Sequence, residues 1–282
     1  ENYAAAYGAA GGTLGTGTGA VVGLLFAAFV LLAYLSVFKR QMKRERRAKV
    51  DSYSYIFKIL FITIIPVLMS TTIYNCNAIL DQAIFKNIAN LQGYSANDIS
   101  EWNGIYTGKY KTLINVPISI ASALAASSVP ALTAAYTNGK KEAVRSQINT
   151  AIRFIMVVAF PCAVGMGVLA SPILQLLFRD SSELAASMLQ LGAVSIVFFS
   201  LSTLSNGLLQ GINRMREPVK NALIALVLHI GLLVVLMYAF QLNIYAVVYA
   251  NAFFGLLMCV LNAYSVKKYS GYRQEIRRTF VI

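Results

Sequence analysis

Few residues of this 282-residue chain could do chemistry, and most of them stand inside long apolar stretches. Lys109 and Lys111 place two ammonium groups near the start of one such stretch, with Asn115 a helical turn beyond Lys111 on the same face. Two readings fit them. Each lysine can snorkel outward along its stem, or face an internal aqueous cavity and hold an anionic head such as a phosphate as a point charge. In the preceding stretch Tyr74, Asn77 and Asp81 follow i, i+3, i+7 spacing and share a helix face. A carboxylate inside a membrane helix costs roughly 2.5–3.5 kcal/mol, so it faces a cavity or a partner. Asp81 is therefore the candidate ion-coupling carboxylate, although its expected place near the outer end of the span also lets it reach interfacial water.

Enzyme constellations are absent from the sequence. His229 is the lone histidine, in an otherwise apolar helix, and reads as a buried neutral imidazole bonded to a neighbouring helix. Cys76, Cys162 and Cys259 all fall in apolar stretches and suggest neither a disulfide framework nor a metal site. No nucleophile elbow, phosphate loop or paired metal-ligand motif occurs. The expectation is a non-enzyme with no cofactor or metal beyond a coupling cation of unspecified identity.

The elements that must position these residues are membrane helices. The chain is 57% hydrophobic and 12% charged, against about 25% charged for an ordinary soluble domain. Seven apolar stretches, at 14–38, 56–85, 105–135, 148–169, 184–211, 219–240 and 244–264, each approach the roughly 20 residues a spanning helix needs. Long continuous runs exclude a transmembrane barrel, whose strands alternate over short segments. The fold class is thus an all-α integral membrane protein with seven predicted transmembrane helices.

Charge sets the expected orientation. Of the 24 Lys and Arg residues, only Lys86, Lys109, Lys111 and Arg179 fall outside the alternate connections at 39–58, 140–153, 214–220 and 267–278. That asymmetry is the positive-inside signature and puts the C-terminus in the cytoplasm. The net charge of +13 would suggest nucleic acid in a soluble protein. Here it marks helix ends that meet anionic lipid at the cytoplasmic face, and no nucleic-acid partner is expected.

Gly11, Gly15, Gly19 and Gly23 recur every four residues and form a helix-packing face. Pro66, Pro117, Pro130 and Pro161 lie within apolar stretches, where each either fixes a kink or supplies a hinge. The polar basic segment 39–55 is the best boundary between bundles. The chain starts at Glu1 without a charged signal region, and an odd number of spans with an inside C-terminus leads us to expect further helices upstream.

Several diffuse motifs together resemble a known family. They are Ser128-Val129-Pro130-Ala131-Leu132, the Asn138-Gly139-Lys140 turn, and the long helix through Pro161 to Ser171-Pro172-Ile173 and Leu176-Leu177-Phe178. Leu209-Gln210-Gly211 with Pro218, and the Gly8–Thr13 helix opening, extend the likeness over nearly the whole chain. The pattern resembles the C-terminal part of polysaccharide flippases. It is closest to the stage V sporulation protein B and lipid II flippase branch of the multidrug/oligosaccharidyl-lipid/polysaccharide exporter superfamily.

The resemblance implies two six-helix lobes that rock in alternating access and export an undecaprenyl-linked saccharide across the bacterial cytoplasmic membrane. On that scheme residues 1–38 are the last helix of a missing N-terminal lobe, an orphan here. Residues 39–55 are a cytoplasmic linker, 56–266 a six-helix C-terminal lobe, and 267–282 a basic tail. The partners implied are the bilayer, the lipid-linked saccharide and the missing lobe, in cis or as a second chain. Lys109, Lys111, Asn115 and Asn77 become candidate cavity residues. Competing readings are a cation-coupled multidrug exporter using Asp81, and a non-transporting half-length membrane scaffold.

Overall fold

A computed structural model describes residues 2–44 and 51–272, and every regular element in them is helical. The basic residues Arg46, Arg47, Lys49, Arg273, Arg277 and Arg278 lie outside the described residues, as do the side chains of Arg44, Pro66 and Tyr74. The chain divides into two units, Glu1–Phe57 and Lys58–Ile282.

The first unit is built on one helix, α1 (Asn2–Arg44). Helix α2 (Tyr53–Leu91) begins near the end of this unit. The expected linker at 39–55 is thus shorter than the sequence suggested. Lys39–Arg44 continue the helix because Lys, Arg, Gln and Met are all strong helix formers and no Gly or Pro stops them. Within this unit nothing packs on the glycine face at Gly11, Gly15, Gly19 and Gly23.

The second unit is a helical bundle. After α2 come α3 (Ala96–Ile105), a π-helical turn (Tyr106–Tyr110) and α4 (Lys111–Thr137), which run on without a break. The third apolar stretch therefore starts earlier than Ile105. Ser95 caps α3 by accepting from the Asp98 amide at 3.1 Å, and the acidic first turn complements the helix dipole. Next follow α5 (Lys141–Val168), α6 (Ala170–Phe178), α7 (Glu183–Gly192), α8 (Ser195–Gly211), α9 (Arg216–Tyr238) and α10 (Asn243–Ser270). Pro117 and Pro130 sit inside α4 and Pro161 inside α5. Gly139 takes φ +68° in the turn between these helices, a conformation that favours glycine.

Five described helices or helical runs are long and apolar enough to cross a membrane, and six if α7 and α8 count as one span bent by 46°. The apolar stretch read at 184–211 is thus carried by these two helices. The predicted count of seven is approximate: α2 carries the remaining apolar stretch along its 39 residues.

The core of the unit lies where α4, α8, α5 and α10 meet, around Leu132, Ile148, Ile155, Leu204, Leu208 and Leu209. Close approach of α8 to α4 depends on two glycines four residues apart. A Cβ on Gly207 would sit 2.7 Å from the Ala125 Cβ, and one on Gly211 would sit 2.9 Å from Leu132 Cδ2. This small-xxx-small pair brings the backbones together, as membrane helices without a hydrophobic driving force require. The Thr133 hydroxyl reinforces the contact by donating to the Gly211 carbonyl at 2.9 Å.

Candidate functional site

Helix α2 meets the bundle through one narrow stripe. Ile73, Asn77, Asp81, Phe85 and Ile88 are buried, nearly all at four-residue spacing, while Leu68, Met69, Ile79 and Leu91 are exposed. Asp81 is 1% exposed. It stands about three turns before Leu91, at roughly 3.6 residues per turn, and is enclosed by neighbouring helices. Its carboxylate is held from two helices. The Oδ1 atom lies 2.5 Å from Nε2 of His229 on α9, and Oδ2 accepts from the Asn251 amide of α10 at 2.6 Å.

His229 is fully buried, and its second ring nitrogen, Nδ1, contacts the Ala250 carbonyl at 2.8 Å. Phe254 closes one side with its ring edge-on, 5.6 Å between centroids. The Asn251 amide nitrogen also reaches the Tyr106 hydroxyl at 2.8 Å. Tyr106 belongs to the π-helical turn, an irregularity found often at functional sites. The turn stacks Tyr106 on Tyr110, with centroids 5.3 Å apart, and the Lys111 ammonium lies 4.9 Å from the centre of the Tyr106 ring. Tyr110 fits because residue 192 is glycine: a Cβ there would fall 2.1 Å from the Tyr110 hydroxyl.

These elements enclose one side of a cavity of about 250 Å³. Asn77, Lys111 and Asn115 line it together with Tyr106, Tyr110 and Asn251. Asn77 is 4% exposed, and its amide oxygen is buried without a hydrogen-bond partner. An unmet acceptor in a polar wall costs about 1–3 kcal/mol and is suited to a hydroxyl or amide donor from a ligand. The wall thus offers one fixed positive charge, several neutral donors and one vacant acceptor.

The fourth predicted cavity residue is elsewhere. Lys109 donates to Asp180 at 2.5 Å, in the connection between α6 and α7. The Lys109 ammonium and the Ser182 backbone amide hold the Asp180 carboxyl below the usual carboxylate range. Lys109 is therefore already neutralised, whereas among the described residues no carboxylate lies within ion-pair distance of Lys111. Both lysines sit roughly four turns into the helical run that starts at Ala96, at about 3.6 residues per turn, deeper than the sequence suggested.

Sequence reasoning missed His229, Asn251, Tyr106 and Tyr110 as members of the site. Asn251 carried a usable signal, as an isolated amide in the apolar α10. The pairing of Asp81 with a residue on α9 carried none.

A second polar cluster joins α8, α9 and α10 away from the cavity. The Asn221 amide donates to Asn262 Oδ1 at 2.9 Å and lies 3.1 Å from the Ser265 hydroxyl. The Asn262 amide donates to Asn206 Oδ1 at 2.8 Å.

Comparison with known proteins follows from this geometry. A family model described as "Lipid II flippase MurJ" matches residues 4–282. Among curated relatives, the lipid II flippase MurJ of Bacillus subtilis (strain 168) is 27% identical over 175 residues, 61% of this chain and 32% of the relative. A probable lipid II flippase MurJ of Bdellovibrio bacteriovorus is 27% identical over 200 residues, 68% of this chain and 38% of the relative. The alignments thus span about a third of the length of those relatives. No solved structure matches the chain significantly.

Proposed function

Since the chain belongs to the lipid II flippase family, we propose that it forms part of a flippase that carries a lipid-linked saccharide across a bacterial membrane. The observation that carries this reading is the cavity wall formed by Lys111, Asn77 and Asn115. A half-buried ammonium with no carboxylate in ion-pair distance among the described residues suits the pyrophosphate of a polyprenyl-linked sugar, and the vacant Asn77 oxygen suits a hydroxyl. The lipid tail would remain in the bilayer while the head passes through the cavity by alternating access. Lys109 stabilises the α6–α7 connection and is not assigned to the substrate.

The relatives aligned carry the lipid II name, which favours that branch over the sporulation-protein branch of the same superfamily. They do not favour a drug exporter or a non-transporting scaffold. On this reading α1 is the last helix of a first lobe, α2 to α10 make the second lobe, and a partner lobe supplies the opposite cavity wall. The basic connections then face the cytoplasm together with the C-terminus.

The test is translocation of a labelled lipid-linked saccharide by the full-length protein in vesicles. Lys111→Ala should reduce the rate about 10- to 100-fold, the loss expected when one charge-assisted hydrogen bond of roughly 1.5–3 kcal/mol is removed. Lys111→Arg should keep most of the rate. An unchanged rate in Lys111→Ala would remove this lysine from the substrate path.

A further inference from the structure

We propose that Asp81 and His229 form a buried proton-binding site behind the cavity wall, joined to it through the lining residue Asn251, and that the proton they hold sets the charge the cavity offers to an anion. The second half rests on the reading of Lys111 given above. The first half stands on hydrogen accounting alone.

A backbone carbonyl can only accept, so the contact of His229 Nδ1 with the Ala250 oxygen fixes a proton on Nδ1. The other nitrogen, Nε2, lies 2.5 Å from Asp81 Oδ1. Two lone pairs cannot face each other at that separation. One proton must lie between them, whether the pair is written as imidazolium with carboxylate or as imidazole with carboxylic acid. Either way the pair is neutral overall, which is how two groups no more than 1% exposed can coexist.

Both carboxylate oxygens are engaged, Oδ1 by the imidazole and Oδ2 by the Asn251 amide. The imidazole occupies the position from which a metal ion would approach. The cation that this site takes is therefore a proton.

Loss of that proton would leave a buried carboxylate opposite an imidazole lone pair. Among the described residues, the titratable groups near the pair are Tyr106 of the π-helical turn, whose hydroxyl shares the Asn251 amide with Asp81, and Lys111 of α4. From α10 the pair meets uncharged groups, the Ala250 carbonyl, the Asn251 amide and the Phe254 ring. Lys111 is the cation of these groups and lies within coulombic reach of Asp81. With the proton bound, the pair is neutral and the Lys111 charge is available to a ligand. With the proton gone, the Asp81 charge opposes the Lys111 charge and the wall is neutral overall. Anion and proton thus bind together, and by linkage each strengthens the other.

Repulsion within the unloaded pair also bears on α2. That helix meets α9 and α10 through the narrow stripe in which Asp81 is the central polar contact. Proton loss loosens this seam, so release of an anion and movement of α2 become parts of one event.

The experiment uses the full-length protein in lipid nanodiscs, labelled with 15N at histidine, with the His229 signal assigned by its loss in His229→Gln. As pH rises, Nδ1 should stay protonated while Nε2 loses its proton. Inorganic pyrophosphate, used as the probe, should move that transition to higher pH. Its affinity should fall about tenfold or more across the transition, the size expected for one nearby unit charge at an effective dielectric near 20. The Asp81→Asn variant keeps a hydrogen bond to Nε2 but has no proton to lose. It should show only the pH dependence of the pyrophosphate itself.

An Nε2 that never titrates while the protein stays folded would overturn the proton site. So would a titration that sodium ions reproduce at fixed pH, because the site would then be taking a metal. A titrating pair with no change in pyrophosphate affinity would overturn the coupling to the cavity. If pyrophosphate does not bind at any pH, the anion-binding role of Lys111 fails, and the nitrogen titration still decides the proton site.

Discussion

Helices α9 and α10 are stitched to their neighbours twice, and the two stitches are chemically unlike. One, Asn221–Asn262–Ser265 with Asn206, consists of amides and a hydroxyl that keep their charge at every pH. The other, Asp81–His229–Asn251–Tyr106, contains a carboxylate and an imidazole sharing one proton, and it borders the cavity. The amide cluster fixes register between α8, α9 and α10. The ionisable cluster ties α9, α10 and the π-helical turn to α2, which meets the bundle through one narrow stripe. Strength and switchability are thus separated along the same pair of helices: the permanent clamp uses neutral groups, and the contact that can let go uses a proton.

The largest effect should come from breaking the ionisable cluster on one side only. Asp81→Leu leaves His229 and Asn251 buried without their acceptor. It should destabilise the protein by about 3–5 kcal/mol, the range for one half of a buried charged pair. Replacing both members, Asp81→Leu with His229→Leu, should restore most of that loss, because a packed apolar pair of similar volume is often neutral. Thermal unfolding of single and double variants in detergent gives the coupling directly. Additive losses would mean that the two side chains do not act as a unit.

A steric variant probes the wall that the ionisable cluster shares with the cavity. Gly192→Ala puts a methyl group 2.1 Å from the Tyr110 hydroxyl and 2.2 Å from its ring. Tyr110 is buried, and the room beside it is the cavity it lines. Overpacking of this kind costs typically about 1–3 kcal/mol. It should also displace Lys111, the next residue, and lower substrate affinity. The companion change Gly192→Ala with Tyr110→Phe should recover part of the stability, since the hydroxyl is the nearest atom in the clash.

The amide clamp should cost less and respond to nothing. Asn262→Ala removes the hub that joins Asn221 to Asn206. Interhelical hydrogen bonds in membrane proteins average about 0.6 kcal/mol with an upper end near 1.7, and two are lost, so about 1–3 kcal/mol is expected. Unfolding measured at several pH values should show the same loss throughout. A loss that varied with pH would erase the contrast between the two clusters.

How much of this could be read from the chain differs between the same two regions. The all-helical membrane character and an approximate number of spans follow from apolar runs and charge spacing, because a bilayer forces every span to satisfy its own backbone. Asn77, Lys111 and Asn115 could be singled out as polar residues where polarity is costly, and the structure brings them to one cavity. Lys109 carried the same signal and went to Asp180 instead, since helical spacing gives the face of a residue but not what another loop delivers to it. Asp81 and His229 were both conspicuous, yet they are 148 positions apart. No local period links them, and the fold alone makes them a pair. The glycines invert the lesson. The obvious four-residue series on α1 has no partner within its own unit, while Gly207 and Gly211, a single repeat, let α8 approach α4.

The smallest effect sharpens the comparison by separating an ordinary ion pair from the proton-sharing one. Lys109 and Asp180 are both partly exposed, so the pair is worth at most about 1 kcal/mol. Because Lys109 holds the Asp180 carboxyl below its ordinary range, the contribution is complete above that range and disappears as pH falls through the lowered value. Asp180→Asn should remove this acid-side dependence and leave stability at neutral pH within about 1 kcal/mol of the parent. Its transition should also move with ionic strength, since exposed charges are screened over about 8–10 Å at ordinary salt. The buried Asp81–His229 transition should not. Unfolding of Asp180→Asn and Asp81→Asn, each at two salt concentrations, therefore assigns every pH-dependent step to one pair or the other. A salt-sensitive step that survives in Asp180→Asn and vanishes in Asp81→Asn would show that water reaches the buried pair, and the cavity wall would then be open where the packing makes it closed.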